Sequence, residues 1–190
     1  MNKFDQITTQ ELTALLDEPY IKIIDVRSVD AYNGWKENGE ARGGHIKNAR
    51  SLPIKWLNYI DWIEIVESKN IEIEDQLIIY SYSIEDSEKV ARQFIKAGFQ
   101  NVKIYARFKD EWASNNDLPM NQLKRYQKLV SATWVKELLK TKKAPEYNND
   151  KFVVCHAHYQ NRADYEKGHI PGAVEVDTNS LESPETWNRR

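Results

Sequence analysis

The sequence predicts an α/β protein built on a parallel β-sheet that is covered by helices on both faces. Three short runs rich in β-branched and aromatic residues are typical of strands: YIKIIDV from Tyr20, QLIIYSY from Gln76 and NVKIYA from Asn101. Segments with helical periodicity lie between them. Because parallel strands are joined by crossovers that usually contain a helix, this alternation favours a parallel sheet with a helical layer on each side.

The first predicted helix lies in the segment ITTQELTALLDEP near the N-terminus. Thr8 precedes Glu11 by three residues, which is the spacing of a capping box, where each side chain accepts a hydrogen bond from the other's backbone N–H group. The apolar face of this helix is formed by Leu12, Leu15 and Leu16. Since proline disrupts a helix interior, we expect the helix to end before Pro19.

Two further helices are predicted between the strands. The segment IKWLNYIDWIEIV has apolar residues at helical spacing, which predicts a helix with one core-facing stripe. That stripe comprises Trp56, Tyr59, Ile60, Ile63 and Val66. The segment SEKVARQFIKAGF carries Val90 and Phe94 on its inner face, and Gly98 is expected just after its last turn, where glycine commonly ends a helix.

Two sequence patterns each occur twice along the chain. VSATWVKELL resembles ITTQELTALL, and EKGHIPGAVEVD around His169 resembles RGGHIKNARSLP around His45. The offsets are 123 and 124 residues, so the repeating unit is about the length of a small domain. We therefore predict a complete unit over residues 1–119, a linker over residues 120–129 and the start of a second unit over residues 130–190.

Composition and charge argue against several classes of partner. The formal net charge of −2 and the isoelectric point of about 6.1 give no electrostatic basis for binding nucleic acid. Neither a long apolar run nor a signal-like start is present, so we expect no membrane partner and a cytoplasmic location, provided that residue 1 is the native start. Cys155 is the single cysteine and the four histidines are scattered, so no metal and no cofactor are predicted.

Four stretches of the sequence resemble the rhodanese-like sulfurtransferases: IIDVRSVDAY, GGHIKNARSLP, GHIPGAVEVD and IIYSYSIEDSEKVARQFIKAGFQNVKIY. The resemblance covers nearly the whole chain. Its tandem arrangement is similar to that of bacterial members with several rhodanese-like domains, in which a later domain carries the catalytic cysteine. The resemblance implies a rhodanese-like parallel sheet and, as the activity of the family, transfer of sulfur from thiosulfate to an acceptor.

The resemblance also locates the loop that carries the chemistry of the family. That loop starts with a cysteine at a strand end and closes on a helix N-terminus beside a basic residue. The corresponding residues here are Ser81, Tyr82, Ser83, Ile84, Glu85, Asp86 and Ser87. Ser81 stands at the cysteine position and Asp86 at the basic position. Because an oxygen cannot carry a persulfide sulfur and carboxylates repel an incoming anion, we predict a degenerate, non-catalytic loop.

Two other reactions are excluded by the same residues. A cysteine phosphatase of related fold needs the missing cysteine and a terminal arginine, and a serine hydrolase needs a G-x-S-x-G elbow, which does not surround Ser81. A structural role is predicted instead for Asp25, Arg27, Gly44, His45, Gly168 and His169. Asp25 and Arg27 are expected to form a polar contact near the turn around His45, and the two glycines to supply backbone freedom.

Cys155 lies in the segment VVCHAH, which is compatible with a Cys–His nucleophile. Adjacent residues of a strand point to opposite sides, however, so His156 is not expected to face it. The repeat alignment places Cys155 at the position of Asp25. We predict a packed, inert thiol, with a redox-sensitive or alkylation-sensitive site as the alternative.

Two functional hypotheses follow. In the first, the chain is the non-catalytic N-terminal region of a sulfurtransferase whose cysteine loop lies beyond Arg190, and its partners are the remaining domains of that protein. In the second, it is a catalytically inactive interaction module with a rhodanese fold. An incomplete second unit leaves apolar surface uncovered, so we also expect homodimers or domain exchange through residues 130–190.

Overall fold

A computed structural model describes residues 4–147, 149 and 151–181. The chain divides into two units, residues 1–131 and residues 132–190. Each unit contains its own parallel strands. Within the described part of the chain, no helix is both long enough and apolar enough to cross a bilayer.

The first unit is organised around a four-stranded parallel sheet. The strands of the first unit, inside and outside this sheet, are β1 (Ile21–Asp25), β2 (His45–Ile46), β3 (Arg50–Ser51), β4 (Gln76–Tyr80), β5 (Val102–Tyr105) and β6 (Met120–Asn121). The sheet has the order β3-β1-β4-β5, while β2 and β6 form a separate antiparallel pair. The three strands expected from the sequence are therefore confirmed as β1, β4 and β5, all of them parallel.

Helices cover both faces of this sheet. They are α1 (Thr9–Ala14), α2 (Val29–Asn33), α3 (Trp62–Ser68) and α4 (Ile84–Lys96), and a π-helical turn covers Phe108–Trp112. On one face, Ile23 and Ile78 pack with Leu12 of α1 and with the π-helical turn. On the other face, the next residues along the same strands pack with α3 and α4. This alternation confirms the predicted sheet with a core on each side.

The predicted helix ends are present in the structure. The Thr8 backbone N–H donates to the Glu11 carboxylate over 2.8 Å, and the Glu11 N–H donates to the Thr8 hydroxyl over 3.2 Å, which completes the capping box. At the end of α4, Gly98 has a φ of +100°. The Phe99 N–H donates to the Phe94 carbonyl over 3.1 Å, as in a Schellman motif.

The predicted apolar stripe from Trp56 to Val66 is wrong at Tyr59, Ile60 and Ile63, which are exposed. It is correct at Val66, which is buried, and at Trp56, which packs against the same core cluster. A 3₁₀ helix covers Ile54–Asn58, the chain leaves helical geometry, and α3 starts only at Trp62. This break changes the helical phase, so Trp62 and Val66 are buried while Ile60 and Ile63 are exposed. A single helical period therefore does not describe the whole segment.

Residues 120–129, predicted to be a linker, are attached to the first unit. Met120 pairs with Ile46 of β2. The Leu123 N–H donates to the Asn33 carbonyl over 2.7 Å, and the Trp35 indole N–H donates to the Leu129 carbonyl over 3.0 Å. These contacts fix both ends of the segment, and its role between the units stays a prediction.

The described part of the second unit contains the helices α5 (Ala132–Thr141) and α6 (Arg162–Lys167) and the strands β7 (Cys155–His158) and β8 (Val174–Asp177). The strands pair in parallel, with Cys155 opposite Val174. Apolar side chains remain exposed in this unit, including Val153 at 71% and Val174 at 46%. Its two-stranded sheet is therefore only partly covered.

Candidate functional site

The candidate site lies at the carboxyl ends of β1 and β4. The parallel register places Asp25 opposite Tyr80, so the residues that follow these two strands emerge beside each other. Parallel α/β sheets commonly hold ligands at this edge. Ser81 directly follows β4 and is 8% exposed.

The connection from β4 to α4 is shorter than the predicted loop. Only Ser81, Tyr82 and Ser83 lie between the two elements, and α4 begins at Ile84. The Ser83 hydroxyl accepts a hydrogen bond from the Asp86 N–H over 3.1 Å, which caps the helix. The prediction that all seven residues from Ser81 to Ser87 form a loop is therefore wrong, because the serine cap starts the helix early.

The N-terminus of α4 carries its own negative charges. Glu85 and Asp86 lie in its first turn, where carboxylates interact favourably with the helix dipole. Asp86 also lies 3.6 Å from the ammonium group of Lys89 in an exposed ion pair. An incoming anion would meet these carboxylates instead of the cation that the family places at the end of its loop.

Arg27 lies at the centre of the site and is 3% exposed. Its Nε and Nη2 atoms donate to the Asp25 carboxylate over 3.0 and 2.6 Å, and Nη2 also donates to the Gly44 carbonyl over 2.7 Å. Its guanidinium group lies 4.0 Å from the centre of the Phe108 ring. Burial alone would lower the pKa of Arg27, but the neighbouring Asp25 carboxylate raises it above its usual value. Arg27 is thus a buried cation held by groups of this chain.

Tyr80 connects Arg27 and Asp25 to the rest of the unit. The buried Tyr80 hydroxyl donates to the Asp25 carboxylate over 2.6 Å and accepts from the Ile46 N–H over 3.1 Å. Burial raises the pKa of Tyr80, and the adjacent Asp25 carboxylate adds to this effect. Sequence reasoning missed this tyrosine, because the strand pattern explained it as an ordinary core residue.

Glu40 is the second residue that sequence reasoning missed. It is 3% exposed, and its carboxylate accepts hydrogen bonds from the Tyr82 hydroxyl and, over 2.9 Å, from the Asn38 N–H. Burial opposes the charged form of Glu40, yet these hydrogen bonds and the charge of Arg27 lower its pKa on balance. Burial also raises the pKa of Tyr82. Glu40 belongs to no motif, so only the fold shows that it reaches this site.

His45 is held by its neighbours at one side of the site. Its Nδ1 atom lies 2.7 Å from the Tyr32 carbonyl oxygen, and its ring stacks on the Tyr32 ring at a centroid distance of 3.7 Å. Burial lowers the pKa of His45. Gly44 has a φ of +105°, and a Cβ atom there would lie 2.3 Å from the Asn121 carbonyl oxygen, so glycine is required.

The second unit repeats the histidine contact without the glycine constraint. His169 stacks on Tyr165 at 4.0 Å, and its Nδ1 atom lies 2.9 Å from the Tyr165 carbonyl oxygen. Gly168 has a φ of 172°, and a Cβ atom there would meet nothing within 4 Å. The expectation that Gly168 supplies backbone freedom is therefore wrong, because extended backbone accommodates any residue.

Cys155 is exposed, so the prediction of a packed thiol is wrong. Its register also differs from the repeat alignment. Cys155 lies opposite Val174, and the offset of the histidine motifs matches Val174 with Arg50, the partner of Ile24. Cys155 therefore corresponds to Ile24 and not to Asp25. Among the described residues, no group of three His, Cys, Asp or Glu side chains is arranged to hold a metal ion.

The comparisons with known proteins agree with this fold. Residues 8–115 match the family described as the rhodanese-like domain. The thiosulfate sulfurtransferase YnjE of Escherichia coli (strain K12) is 26% identical over 171 residues, which are 88% of this chain and 38% of that protein.

Solved structures of EanB are more similar in sequence. The wild-type structure has a TM-score of 0.91 and 52% identity, over 99% of this chain and 44% of that chain. An EanB variant in complex with ergothioneine covalently linked with a cysteine persulfide gives a TM-score of 0.90, and another in complex with hercynine gives 0.91. The chain thus spans less than half the length of these relatives.

Proposed function

Because the chain belongs to the rhodanese-like sulfurtransferase family, we propose that it is a non-catalytic region of a larger sulfurtransferase whose reactive cysteine lies beyond Arg190. The observation that carries the proposal is the position of Ser81. This serine directly follows β4, where members of the family have the cysteine that carries the sulfur. A serine hydroxyl has too high a pKa to act as a thiolate does, and it cannot form a persulfide.

The charges around Ser81 support the same proposal. Asp25, Arg27 and Glu40 together carry two negative charges and one positive charge. Glu85 and Asp86 add two further carboxylates in the first turn of α4. A thiosulfate anion entering here would be repelled on balance. The Arg27 guanidinium, which could otherwise attract it, already donates to Asp25, Gly44 and Tyr82.

The relatives suggest what the larger protein acts on. EanB has been solved with hercynine and with ergothioneine linked with a cysteine persulfide. We therefore propose that the full-length protein binds the same small molecules and carries sulfur as a persulfide on a cysteine outside residues 1–190. In this arrangement residues 1–131 stabilise the neighbouring domains, which are their partners.

The proposal is tested with a polypeptide of residues 1–190 supplied with thiosulfate and cyanide. We expect no thiocyanate above the rate of the buffer, and no change on replacing Ser81→Ala. Thiocyanate formation by the wild-type polypeptide that is lost in Ser81→Ala would contradict the proposal. A longer natural polypeptide is assayed in parallel, and it should form thiocyanate and acquire a persulfide on a cysteine other than Cys155.

The exposed apolar side chains of the second unit support a further proposal about partners. Val153, Ile170 and Val174 are 71%, 44% and 46% exposed, although they flank or belong to a two-stranded sheet. Exposed apolar surface of this kind is typical of a face that associates with another chain. We propose that the isolated 190-residue chain forms homodimers through residues 130–190.

A further inference from the structure

We infer that Arg27, Tyr82 and the Asn38 backbone N–H form a binding site for a small carboxylate, which in this chain is filled by its own Glu40 side chain. The inference does not depend on whether the unit transfers sulfur, because it concerns binding alone. It assigns Glu40 the role of a resident ligand and not that of a surface acid.

The contacts of Glu40 are those of a bound anion. One carboxylate oxygen accepts from the Tyr82 hydroxyl and lies 3.9 Å from Arg27 Nη1. The other accepts from the Asn38 N–H over 2.9 Å. The Glu40 and Arg27 side chains are fully buried at this contact, at 0% exposure each. A buried carboxylate with a hydroxyl donor, an amide donor and a nearby guanidinium is a complete anion site.

Two of the donors, Arg27 and Tyr82, come from other parts of the chain and are held by contacts that do not involve Glu40. The third, the Asn38 N–H, is only two residues from Glu40. Arg27 is fixed by Asp25 and by the Gly44 carbonyl. The Tyr82 hydroxyl also accepts from Arg27 Nη1 over 3.2 Å, and the Tyr82 ring packs edge-on against Phe108 with 6.3 Å between centroids. These contacts would remain if the Glu40 side chain were removed, so the site would persist as a cavity lined by donors.

Glu40 itself reaches the site from an irregular segment. It lies between α2 and β2, outside any helix or strand. Its side chain is therefore placed by its contacts with the site and not by a regular element. Arg27 and Tyr82 are held by contacts that do not involve Glu40, so we treat Glu40 as the ligand and these two side chains as the receptor. The Asn38 N–H, from the same irregular segment as Glu40, completes the site.

The experiment is chemical rescue of the Glu40→Ala variant of the 190-residue chain. Thermal unfolding is followed in sodium formate, in sodium acetate and in sodium chloride of equal ionic strength. We expect Glu40→Ala to unfold at a lower temperature than the wild type in chloride. Formate or acetate should then raise its midpoint in proportion to ln(1 + [L]/Kd), by about 3 °C at ten times the dissociation constant.

Three matched variants define the result. Glu40→Gln still fills the cavity, so it should show no rescue, and Glu67→Ala removes an exposed glutamate and should respond to none of the anions. Glu40→Ala combined with Tyr82→Phe lacks the hydroxyl donor and should lose the rescue. The inference is overturned if formate and acetate act on Glu40→Ala no more than chloride does.

An unstable variant still gives a decision. If Glu40→Ala does not fold in chloride, folding in formate or acetate alone supports the inference. Failure to fold in all three salts counts against it, because an empty carboxylate site should be complemented by a free carboxylate. Equal stabilisation of Glu40→Ala and Glu67→Ala by these anions would likewise show a general salt effect and overturn it.

Discussion

The Arg27 guanidinium and the Asp25 carboxylate form a two-point ion pair in which both side chains are fully buried. Nη2 lies 2.6 Å from Asp25 Oδ2, and Nε lies 3.0 Å from Asp25 Oδ1. Asp25 also accepts from the Tyr80 hydroxyl over 2.6 Å. The ion pair holds the end of β1, and the Tyr80 hydrogen bond joins it to the end of β4, so that together they fix the geometry of the candidate site.

The first prediction follows from this pair. Replacing Asp25→Asn should lower the free energy of unfolding by about 3 kcal/mol, because it leaves the buried Arg27 charge without its main partner. Urea denaturation measures the change. Asp17→Asn serves as the control, since it removes a partner of Lys47 from an exposed ion pair and should leave stability nearly unchanged. Equal effects of the two variants would contradict the structural role of Asp25.

The second prediction concerns pH. Burial lowers the pKa of His45 below its ordinary value of about 6.5, so the unfolded chain binds a proton more readily than the folded chain does. His45 therefore favours folding fully above about pH 6.5, and this contribution decreases as the pH falls towards the folded pKa. The free energy of unfolding measured at several pH values should fall more steeply on acidification in the wild type than in His45→Gln. Parallel curves for the two proteins would show that His45 is not the group responsible.

The third prediction tests the exposure of Cys155. An aromatic disulfide reagent should modify one thiol per folded chain, at a rate within about tenfold of that in denaturant. Cys155→Ser should show no reaction. Protection by several orders of magnitude would mean that the thiol is packed, as the sequence alone suggested.

The features predicted well from the sequence are those determined by neighbouring residues. Thr8 and Glu11 form their capping box within one helical turn, and Gly98 ends α4 by a local change of backbone conformation. The apolar stripe failed because the break before Trp62 changes the helical phase. Hydrophobic spacing alone contains no signal for such a break.

The candidate site was predicted only in part. The contact between Asp25 and Arg27 was expected because both lie in one short motif, and the structure places them together with the Gly44 carbonyl. Glu40 and Tyr80 were missed because they reach Arg27 or Asp25 from distant parts of the chain. Tertiary contacts of this kind have no local periodicity or motif to reveal them.

The fourth prediction concerns self-association through the second unit. Sedimentation velocity over a wide concentration range should show concentration-dependent dimers of the 190-residue chain. Val153→Ser should weaken them, because Val153 is 71% exposed and is proposed to lie in the contact. Ile60→Ser is the matched control, since Ile60 is fully exposed in the first unit. A strict monomer at every concentration, or equal effects of both variants, would refute this interface.

The last prediction asks whether a thiol alone would restore sulfur transfer. In Ser81→Cys, the new side chain would stand at a position that is 8% exposed, where burial raises a thiol pKa and disfavours the reactive thiolate. Asp86→Arg would restore a cation, but Ser83 would still begin α4 after a three-residue connection. We therefore expect neither Ser81→Cys nor the double variant to form thiocyanate above background.

The assay for this prediction uses a Cys155→Ser background, so that any modified thiol is the one introduced at position 81. Alkylation measured against pH reports the thiol pKa, and thiocyanate formation reports sulfur transfer. If the double variant turned over thiosulfate, the short connection would be compatible with catalysis, and the loss of activity would reside in the side chains alone. If it stayed inactive while the thiol was alkylated slowly, the absence of a cysteine at position 81 would not be the whole cause of inactivity. The early start of α4 and the surrounding carboxylates would then also prevent sulfur transfer.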